Sequence, residues 1–269
     1  MSGEPLPSEL SLIFAGLGPV AVALSGGLDS RFLCHALALA GHDLLAVHAA
    51  GPHVPAAESA WARQWAAARG LPFLEISFSP LDDEAAAANG RERCYHCKKA
   101  LIASLRRELA DAGQGGRVLC DGSNADDRLH YRPGLRALRE GGVISPLAEA
   151  GLGKDAIRQL AASTGLARPG QRARPCLMTR FAYDLRPDAA SMRRVAEAEA
   201  ELEQLAGPPD GGLGDFRLRL LPEPGLQAER LTPDLADRAR SILARHGFAA
   251  SRLERRKPGG FFDQPSSAR

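Results

Sequence analysis

The chain is predicted to fold as an α/β protein around a doubly wound, mostly parallel sheet, with a smaller C-terminal α+β unit. Three observations carry that expectation. Apolar, strand-like runs alternate with helix-like stretches through the first two thirds of the chain. The first run, Val20–Leu24, leads through Ser25-Gly26-Gly27-Leu28-Asp29-Ser30 straight into a helix-like segment, Arg31–Ala40. Turns rich in Gly, Asp and Asn fall after successive strands, at the sheet end where ligands bind in such folds.

The later elements follow the same alternation. Leu44–His48 reads as the second strand, after the turn at Gly41. Ala56–Arg69 has helical composition, and Gly70-Leu71-Pro72 ends it. Phe73–Phe78 is a third strand, Lys98–Asp111 a helix, and Val118–Cys120 a fourth strand running into Asp121-Gly122. Lys154–Thr164 is a further helix, closed by Gly165. A linker rich in Gly, Pro and Arg spans Ala167–Pro175. Beyond it, Asp188–Leu205 reads as one helix broken by Gly207-Pro208-Pro209, Phe216–Leu221 as a strand, and Thr232–His246 as a helix. The expected organisation is a nucleotide domain over 1–175, a second unit over 176–255 and a disordered tail over 256–269.

Composition narrows the function classes. The chain has 269 residues, 45% of them hydrophobic and 25% charged, as in ordinary globular proteins. A formal net charge of +2 gives no electrostatic argument for nucleic acid. The longest apolar runs are too short to span a membrane, and no charged-then-apolar leader opens the chain. The 5 cysteines are an odd number without the spacing of a disulfide scaffold, so a reducing cytoplasm is expected.

Four groups of residues suit chemistry. In the Ser25–Ser30 turn, glycines let the backbone bend close to a ligand, and the free N–H groups at the helix start attract phosphate. No Gly-Lys-Ser/Thr follows, so this is not the other common phosphate loop. Cys94-Tyr95-His96-Cys97 suits a metal, a cluster or redox work, yet such cysteines are also often buried apolar residues. No second Cys-x-x-Cys completes a zinc site, and Cys176 is the remaining partner thiol. Arg172, Arg174 and Arg180 surround Cys176 in sequence and favour a thiolate; the alternative is a structural thiol in a loop. Cys34 and Cys120 read as structural. The turn Asp121-Gly122-Ser123-Asn124-Ala125-Asp126-Asp127 suits Mg²⁺ or a ribose; the alternative is a solvated turn, and its place at a strand end favours the functional reading. Arg217 and Arg219 share one strand face, which suits an anion or a solvent-facing edge, and Glu197, Glu199 and Glu201 read as a solvated helix face.

Taken in order, these motifs resemble the LarE-type sulfur transferases of the PP-loop ATP pyrophosphatases. The resemblance runs from Val20 to Arg219. It includes Ser25–Ser30, Ala46-Val47 with Pro55 and Glu58, Arg93-Cys94-Tyr95-x-Cys97-Lys98 and Asp121–Asp127. It continues through Tyr131-Arg132-Pro133-Gly134, Ser145-Pro146-Leu147, Lys154 with Ile157-Arg158, and Pro175-Cys176-Leu177 with Arg180. The chain departs from the family after Arg219, where Leu220–Arg230 replaces the common His-Gly and Ala-Arg-Ile-Glu pattern, and at Tyr183-Asp184.

The resemblance implies an adenine nucleotide alpha-hydrolase-like PP-loop domain and a role in making the nickel-pincer nucleotide cofactor of lactate racemase. It implies that ATP adenylylates the carboxylates of a pyridinium-3,5-dicarboxylate mononucleotide, and that sulfur then displaces AMP. Ser25, Gly26, Gly27 and Ser30 would hold the pyrophosphate end of ATP, and Asp29 the ATP and Mg²⁺, with Asp126 and Asp127 completing the site. Arg217 and Arg219 match a phosphate-gripping pair, and Glu199 a nearby family glutamate. Cys176 matches the sulfur-handling cysteine. Sulfur then comes from Cys176 itself, leaving dehydroalanine, or through a [4Fe-4S] cluster on Cys94, Cys97 and Cys176. The cluster is the favoured route. The family further implies a homo-oligomer, trimer or hexamer, and partnership with other pincer-cofactor enzymes, with neither nucleic acid nor membrane as partner. A tRNA thiolase, an ammonia-using amidating synthetase and a non-catalytic ATP-binding regulator are the rival readings.

Overall fold

The computed structural model describes residues 6–256 apart from 130–131, 173, 208–211 and 222. Tyr131 of the Tyr-Arg-Pro-Gly motif, the Pro208-Pro209 break, Pro222 and the tail from 257 lie outside the described residues. The chain forms two compact units. The first comprises 1–51, 56–83 and 94–174, and the second comprises 52–55, 84–93 and 175–269.

In chain order the first elements are α1 (Ser8–Ala15), β1 (Val20–Ala23), α2 (Leu28–Leu39), β2 (Leu44–Ala50), α3 (Ala56–Ala67) and β3 (Phe73–Ser77). Then come α4 (Glu84–Ala87), α5 (Arg93–Asp111), β4 (Val118–Asp121), α6 (Gly134–Glu140), α7 (Pro146–Glu149) and α8 (Lys154–Ser163). In the first unit the strands form one parallel sheet in the order β3-β2-β1-β4. The winding runs outward from β1 to β3, then returns to place β4 on the other side of β1. That reversal opens a crevice beyond the carboxyl ends of β1 and β4, where such sheets bind ligands.

Two hydrophobic cores lie on opposite faces of this sheet. Val20, Val22 and Ala46 pack with α2 and α3 residues such as Phe32, Leu33 and Trp65. Ala21, Leu45, Val47 and Ile76 pack with Ile102, Leu105 and Leu109 of α5. Strand alternation therefore feeds both faces, which is why these short strands read as continuous apolar runs. α2 is buried almost all round, from Leu28 to Leu37, so it lacks a polar stripe.

The second unit adds α9 (Ala189–Leu202), β5 (Phe216–Leu220), β6 (Pro224–Ala228), α10 (Pro233–Arg245) and β7 (Arg252–Arg255). Its sheet has the order β5-β6-β7, antiparallel in the first pair and parallel in the second. The Asp188 carboxylate caps α9 by accepting from the Ser191 N–H at 2.8 Å, and the Thr232 hydroxyl caps α10, with Pro233 following it. Met192, Val195, Ala198 and Leu202 form the buried stripe of α9.

Three expectations are corrected. α5 begins at Arg93 rather than Lys98, so Cys94 and Cys97 sit at its N-terminal end, one turn apart. The apolar periodicity is absent from Cys-Tyr-His-Cys-Lys-Lys, and it masks a helix whose early residues are weak formers. α2 begins at Leu28, which places Asp29 and Ser30 on its first turn. Arg219 is only 3% exposed, so the strand face it shares with Arg217 is not a solvated edge. Among the described residues, no helix is long and apolar enough to cross a membrane.

Candidate functional site

The crevice of the first unit is built around the turn between β1 and α2. Gly26 has φ 81°, a conformation that side chains other than glycine strain to adopt. Gly27 is the N-cap of α2 and offers no side chain to the first-turn N–H groups. The two serines face each other, Ser25 Oγ and Ser30 Oγ being 3.1 Å apart. The Ser25 N–H donates to Ser30 Oγ and the Gly27 N–H to Ser25 Oγ. The turn is thus a concave set of donors, held closed by its own hydroxyls, at the positive end of a helix.

β4 brings a second turn against it. A Cβ on Gly122 would lie 2.7 Å from the Ser30 nitrogen, so only glycine permits this backbone approach. Asp29 Oδ2 accepts from Asn124 Nδ2 at 2.9 Å and lies 3.8 Å from Lys154 Nζ. Asp29 Oδ1 is buried and has no hydrogen-bond partner. Burial raises the Asp29 pKa above the ordinary carboxyl value, against the pull of the Lys154 cation and the Asn124 hydrogen bond. A buried carboxylate oxygen without a donor, beside a phosphate-type turn, suits a divalent cation, so the residues fit Mg²⁺.

The other acidic residues have internal partners. Asp121 accepts from the Ser145 hydroxyl at 2.6 Å and from the Ser123 hydroxyl at 2.7 Å. Asp126 accepts from the Lys154 backbone N–H at 2.8 Å, so it caps the start of α8. A Cβ on Gly153 would meet Asp126 Oδ1 at 2.7 Å, which ties that cap to a glycine. Asp127 accepts from the Asn124 N–H and lies 3.0 Å from Arg132 Nη1. The crevice thus gathers Ser25, Gly27, Asp29, Ser30, Asn124 and Lys154. Sequence reading placed Asn124 and Lys154 in motifs without giving either a role.

The second unit holds Cys176 and a group of buried guanidiniums. Cys176 heads a 3₁₀ turn, Leu177–Arg180, and its carbonyl accepts from the Thr179 N–H and hydroxyl. Arg180 spans the Glu199 carboxylate with Nε at 2.9 Å and Nη2 at 2.7 Å, and its Nη1 donates to the Pro175 carbonyl. Glu199 also accepts from the Leu218 N–H of β5. Arg219 Nη1 donates to the Thr179 carbonyl at 2.7 Å. Burial, with the nearby Arg180 and Arg217 cations, pushes the Arg219 pKa down to about 10.

Arg93 adds to this group. It is 2% exposed and donates from Nη1 to Asn89 Oδ1, while its Nε and Nη2 find no hydrogen-bond partner. Its guanidinium stacks 4.7 Å from the centre of the Tyr183 ring. Arg93, Arg180 and Arg219 are all buried, and Glu199 is the carboxylate that moderates Arg219. An excess of buried positive charge is expensive without a counter-ion, so this arrangement suits an anionic ligand group such as phosphate or carboxylate. Arg93 and Arg180 stood in sequence motifs, but neither spacing nor periodicity marks a buried arginine.

The cysteines divide by environment. Cys34 and Cys120 are buried, and burial pushes both thiols up to about 12. Cys94, Cys97 and Cys176 are half-exposed, the first two on one turn of α5 in the first unit and the third in the second unit. Among the described residues, no three His, Cys, Asp or Glu side chains stand gathered as a metal site.

No protein-family model matches the chain. It is 33% identical to an uncharacterized protein of Synechocystis sp. over 198 residues, 73% of each chain. It is 28% identical to an uncharacterized protein of Methanocaldococcus jannaschii over 67% of this chain and 68% of that one. It is 30% identical to the pyridinium-3,5-bisthiocarboxylic acid mononucleotide synthase of Lactiplantibacillus plantarum over 214 residues, 73% of this chain and 77% of that one.

Proposed function

The chain belongs to the family of the pyridinium-3,5-bisthiocarboxylic acid mononucleotide synthases, and on that premise we propose that it is an ATP-dependent, adenylylating sulfur transferase of the PP-loop type. Its substrate is a pyridinium-3,5-dicarboxylate mononucleotide. A ring carboxylate oxygen attacks the α-phosphorus of ATP, the bond to pyrophosphate breaks, and an acyl-adenylate forms. Sulfur then adds at the acyl carbon and AMP leaves, giving a thiocarboxylate. The cycle repeats on the second carboxylate.

The observation that carries this reading is the unpartnered, buried Oδ1 of Asp29 beside the Ser25–Ser30 turn. In the reading, the N–H groups of Ser25, Gly26 and Gly27 and the hydroxyl of Ser30 bind the pyrophosphate end of ATP. When present, Mg²⁺ on Asp29 supplies charge neutralisation for the leaving pyrophosphate. Asn124 and Lys154 hold Asp29 in place, and Asp126 and Asp127 shape the turn that carries Asn124. Arg217 and Arg219 take the substrate phosphate in this reading, and Glu199 fixes Arg180 and accepts from the Leu218 N–H between those two arginines.

Cys176 delivers sulfur in this reading. In the cluster route Cys94, Cys97 and Cys176, the three thiols that are not buried, would be the ligands of a [4Fe-4S] cluster, thiolates being the usual ligands of such clusters. Such a cluster would leave one iron free of protein thiolate, able to carry the transferred sulfide. The other route takes the sulfur of Cys176 itself. We further assign to the protein a homo-oligomeric state, a cytoplasmic setting and neighbours that make or consume pincer-cofactor intermediates.

The test is anaerobic purification followed by iron, sulfide and pyrophosphate measurement with the dicarboxylate substrate. Pyrophosphate and AMP released in step with thiocarboxylate support the reading. Near four irons per chain, lost in Cys94→Ala or Cys176→Ala, assign the cluster route. A mass loss of one H₂S per sulfur transferred assigns the sacrificial route. Pyrophosphate release without any thiocarboxylate, undiminished in Cys176→Ala, removes the sulfur-transfer reading and favours an ammonia-using synthetase.

A further inference from the structure

Helix α2 carries an arginine one residue beyond the phosphate-type turn, and that arginine is wholly inside the protein. Arg31 is 0% exposed. Its guanidinium lies 4.8 Å from the ring centre of Trp61 and 5.9 Å from that of Trp65. Its Nη1 donates to the Ala167 carbonyl at 2.8 Å and its Nη2 to the Arg168 carbonyl at 3.3 Å. Arg168 itself holds φ 56°, unusual for a residue with a side chain. Nη2 also donates to Gln171 Oε1.

That last contact decides which way the Gln171 amide faces. Arg31 has donors only, so the oxygen of Gln171 must meet it and the NH₂ must point the other way. There it donates to the Gly26 carbonyl at 3.2 Å. The Gly26–Gly27 peptide is trans, so the Gly26 carbonyl and the Gly27 N–H point in opposite directions from one rigid plane. Holding the carbonyl outward turns the Gly27 N–H inward, onto Ser25 Oγ and the concave side of the turn. Glycine has no side chain to resist rotation of that plane; the Ser25 hydroxyl holds its N–H end at 3.3 Å from within the turn, and Gln171 holds its carbonyl end from outside it.

We infer that Arg31 and Gln171 are positioning residues for the phosphate cradle: Arg31 orients Gln171, and Gln171 locks the Gly26–Gly27 peptide so that the Gly27 N–H faces the pyrophosphate end of ATP. The inference rests on the cradle reading above. The Gly-Pro-Arg stretch around 167–171 is on this account a brace for the turn and not a passive linker. The burial that lowers the Arg31 pKa to about 10 is tolerated because three acceptors and two aromatic faces surround the cation. Trp61 and Trp65 are the 2 tryptophans of the chain, and a Cβ on Gly26 would lie 3.9 Å from the Trp61 ring. Intrinsic tryptophan fluorescence therefore reports on this cluster directly.

The discriminating variant is Gln171→Glu. It keeps an acceptor for Arg31, and strengthens that contact by charge, but it has no proton to donate to Gly26. Titration calorimetry with inorganic pyrophosphate and with AMP, followed in parallel by tryptophan emission, reads the effect. The expected result is pyrophosphate binding about tenfold weaker than wild type, the size of one lost hydrogen bond. AMP binding should be unchanged and the melting midpoint shifted by less than about 3 °C. Arg31→Lys keeps the charge but cannot grip Gln171 with a fork, and should lose pyrophosphate affinity similarly. Gln171→Glu binding pyrophosphate as tightly as wild type overturns the inference and leaves the cradle reading standing. A wild-type protein that binds AMP or ATP while pyrophosphate neither binds nor changes the emission overturns the cradle reading and the inference with it.

Discussion

Arg180 grips Glu199 through two parallel hydrogen bonds, at 2.9 and 2.7 Å, and the pair is nearly sealed from solvent, with side-chain exposures of 5% and 12%. The same carboxylate takes the Leu218 N–H of β5, and the same guanidinium takes the Pro175 carbonyl next to Cys176. One ion pair therefore joins helix α9, strand β5 and the cysteine turn of the second unit. Such a planar, two-point grip fixes orientation in a way that a single lysine contact cannot.

Removing one member of that pair should be costly to the fold. Glu199→Gln leaves Arg180 buried without its counter-charge, and we expect a loss of about 3 kcal/mol of stability. Urea unfolding followed by far-ultraviolet circular dichroism measures it. A variant as stable as wild type would show that Arg180 finds another partner and that Glu199 is not structural.

Asp29 should behave in the opposite way. Its folded pKa is raised, so the folded state holds that proton more tightly than the unfolded chain does. Stability from this group is therefore lost as pH rises from the ordinary carboxyl value, 3.8, through the raised folded value, and the penalty is complete above it. Asp29→Asn removes the penalty. Without nucleotide, the variant should be at least as stable as wild type at pH 7, with that advantage fading below pH 3.8. Pyrophosphate release should fall about a hundredfold or more in the same variant. Melting curves at pH 3 and pH 7, beside a pyrophosphate assay, test both halves.

Gly122→Ala tests the approach of the two turns. The new methyl would stand 2.7 Å from the Ser30 nitrogen and 2.8 Å from its Cα, which are backbone atoms that cannot swing aside. We expect about 1–3 kcal/mol of destabilisation and weaker ATP binding together. Gly116→Ala is the control, since a Cβ there meets nothing within 4 Å and φ is not in the left-handed region.

Thiol reactivity should separate the cysteines. Brief iodoacetamide treatment of the native, metal-free protein at pH 8, read by peptide mass spectrometry, should label Cys94, Cys97 and Cys176. Cys34 and Cys120 should stay unlabelled until the chain unfolds, because both are buried and their thiols are pushed up to about 12. Early labelling of Cys34 would mean that α2 opens locally, and with it the phosphate-type turn.

Much of the first unit was legible in the sequence because its signals are local. Val20–Ala23, the glycine turn and α2 follow one another without interruption, and short, mostly apolar runs between turn residues announce the parallel strands. The Ser25–Ser30 turn, the Asp121 turn and the Cys-x-x-Cys pair are likewise contiguous motifs, visible as spacing. The order β3-β2-β1-β4 was not visible, nor were the residues whose roles come from distant partners. Arg31 lies on an apolar helix and meets Gln171 across 140 positions of chain. Arg93, Arg180 and Arg219 have the composition of surface residues, and the fold buries them. Asp29 shows the division most clearly. The family resemblance of its motif singled it out from sequence, but only the packing of Asn124 and Lys154 against it decided that one of its oxygens would stand buried and unpartnered. Local order along the chain specifies which peptides bend and which helix begins, because those are one-turn energies. Burial and charge at a side chain depend on elements that meet only after folding, and those the tertiary structure alone decides.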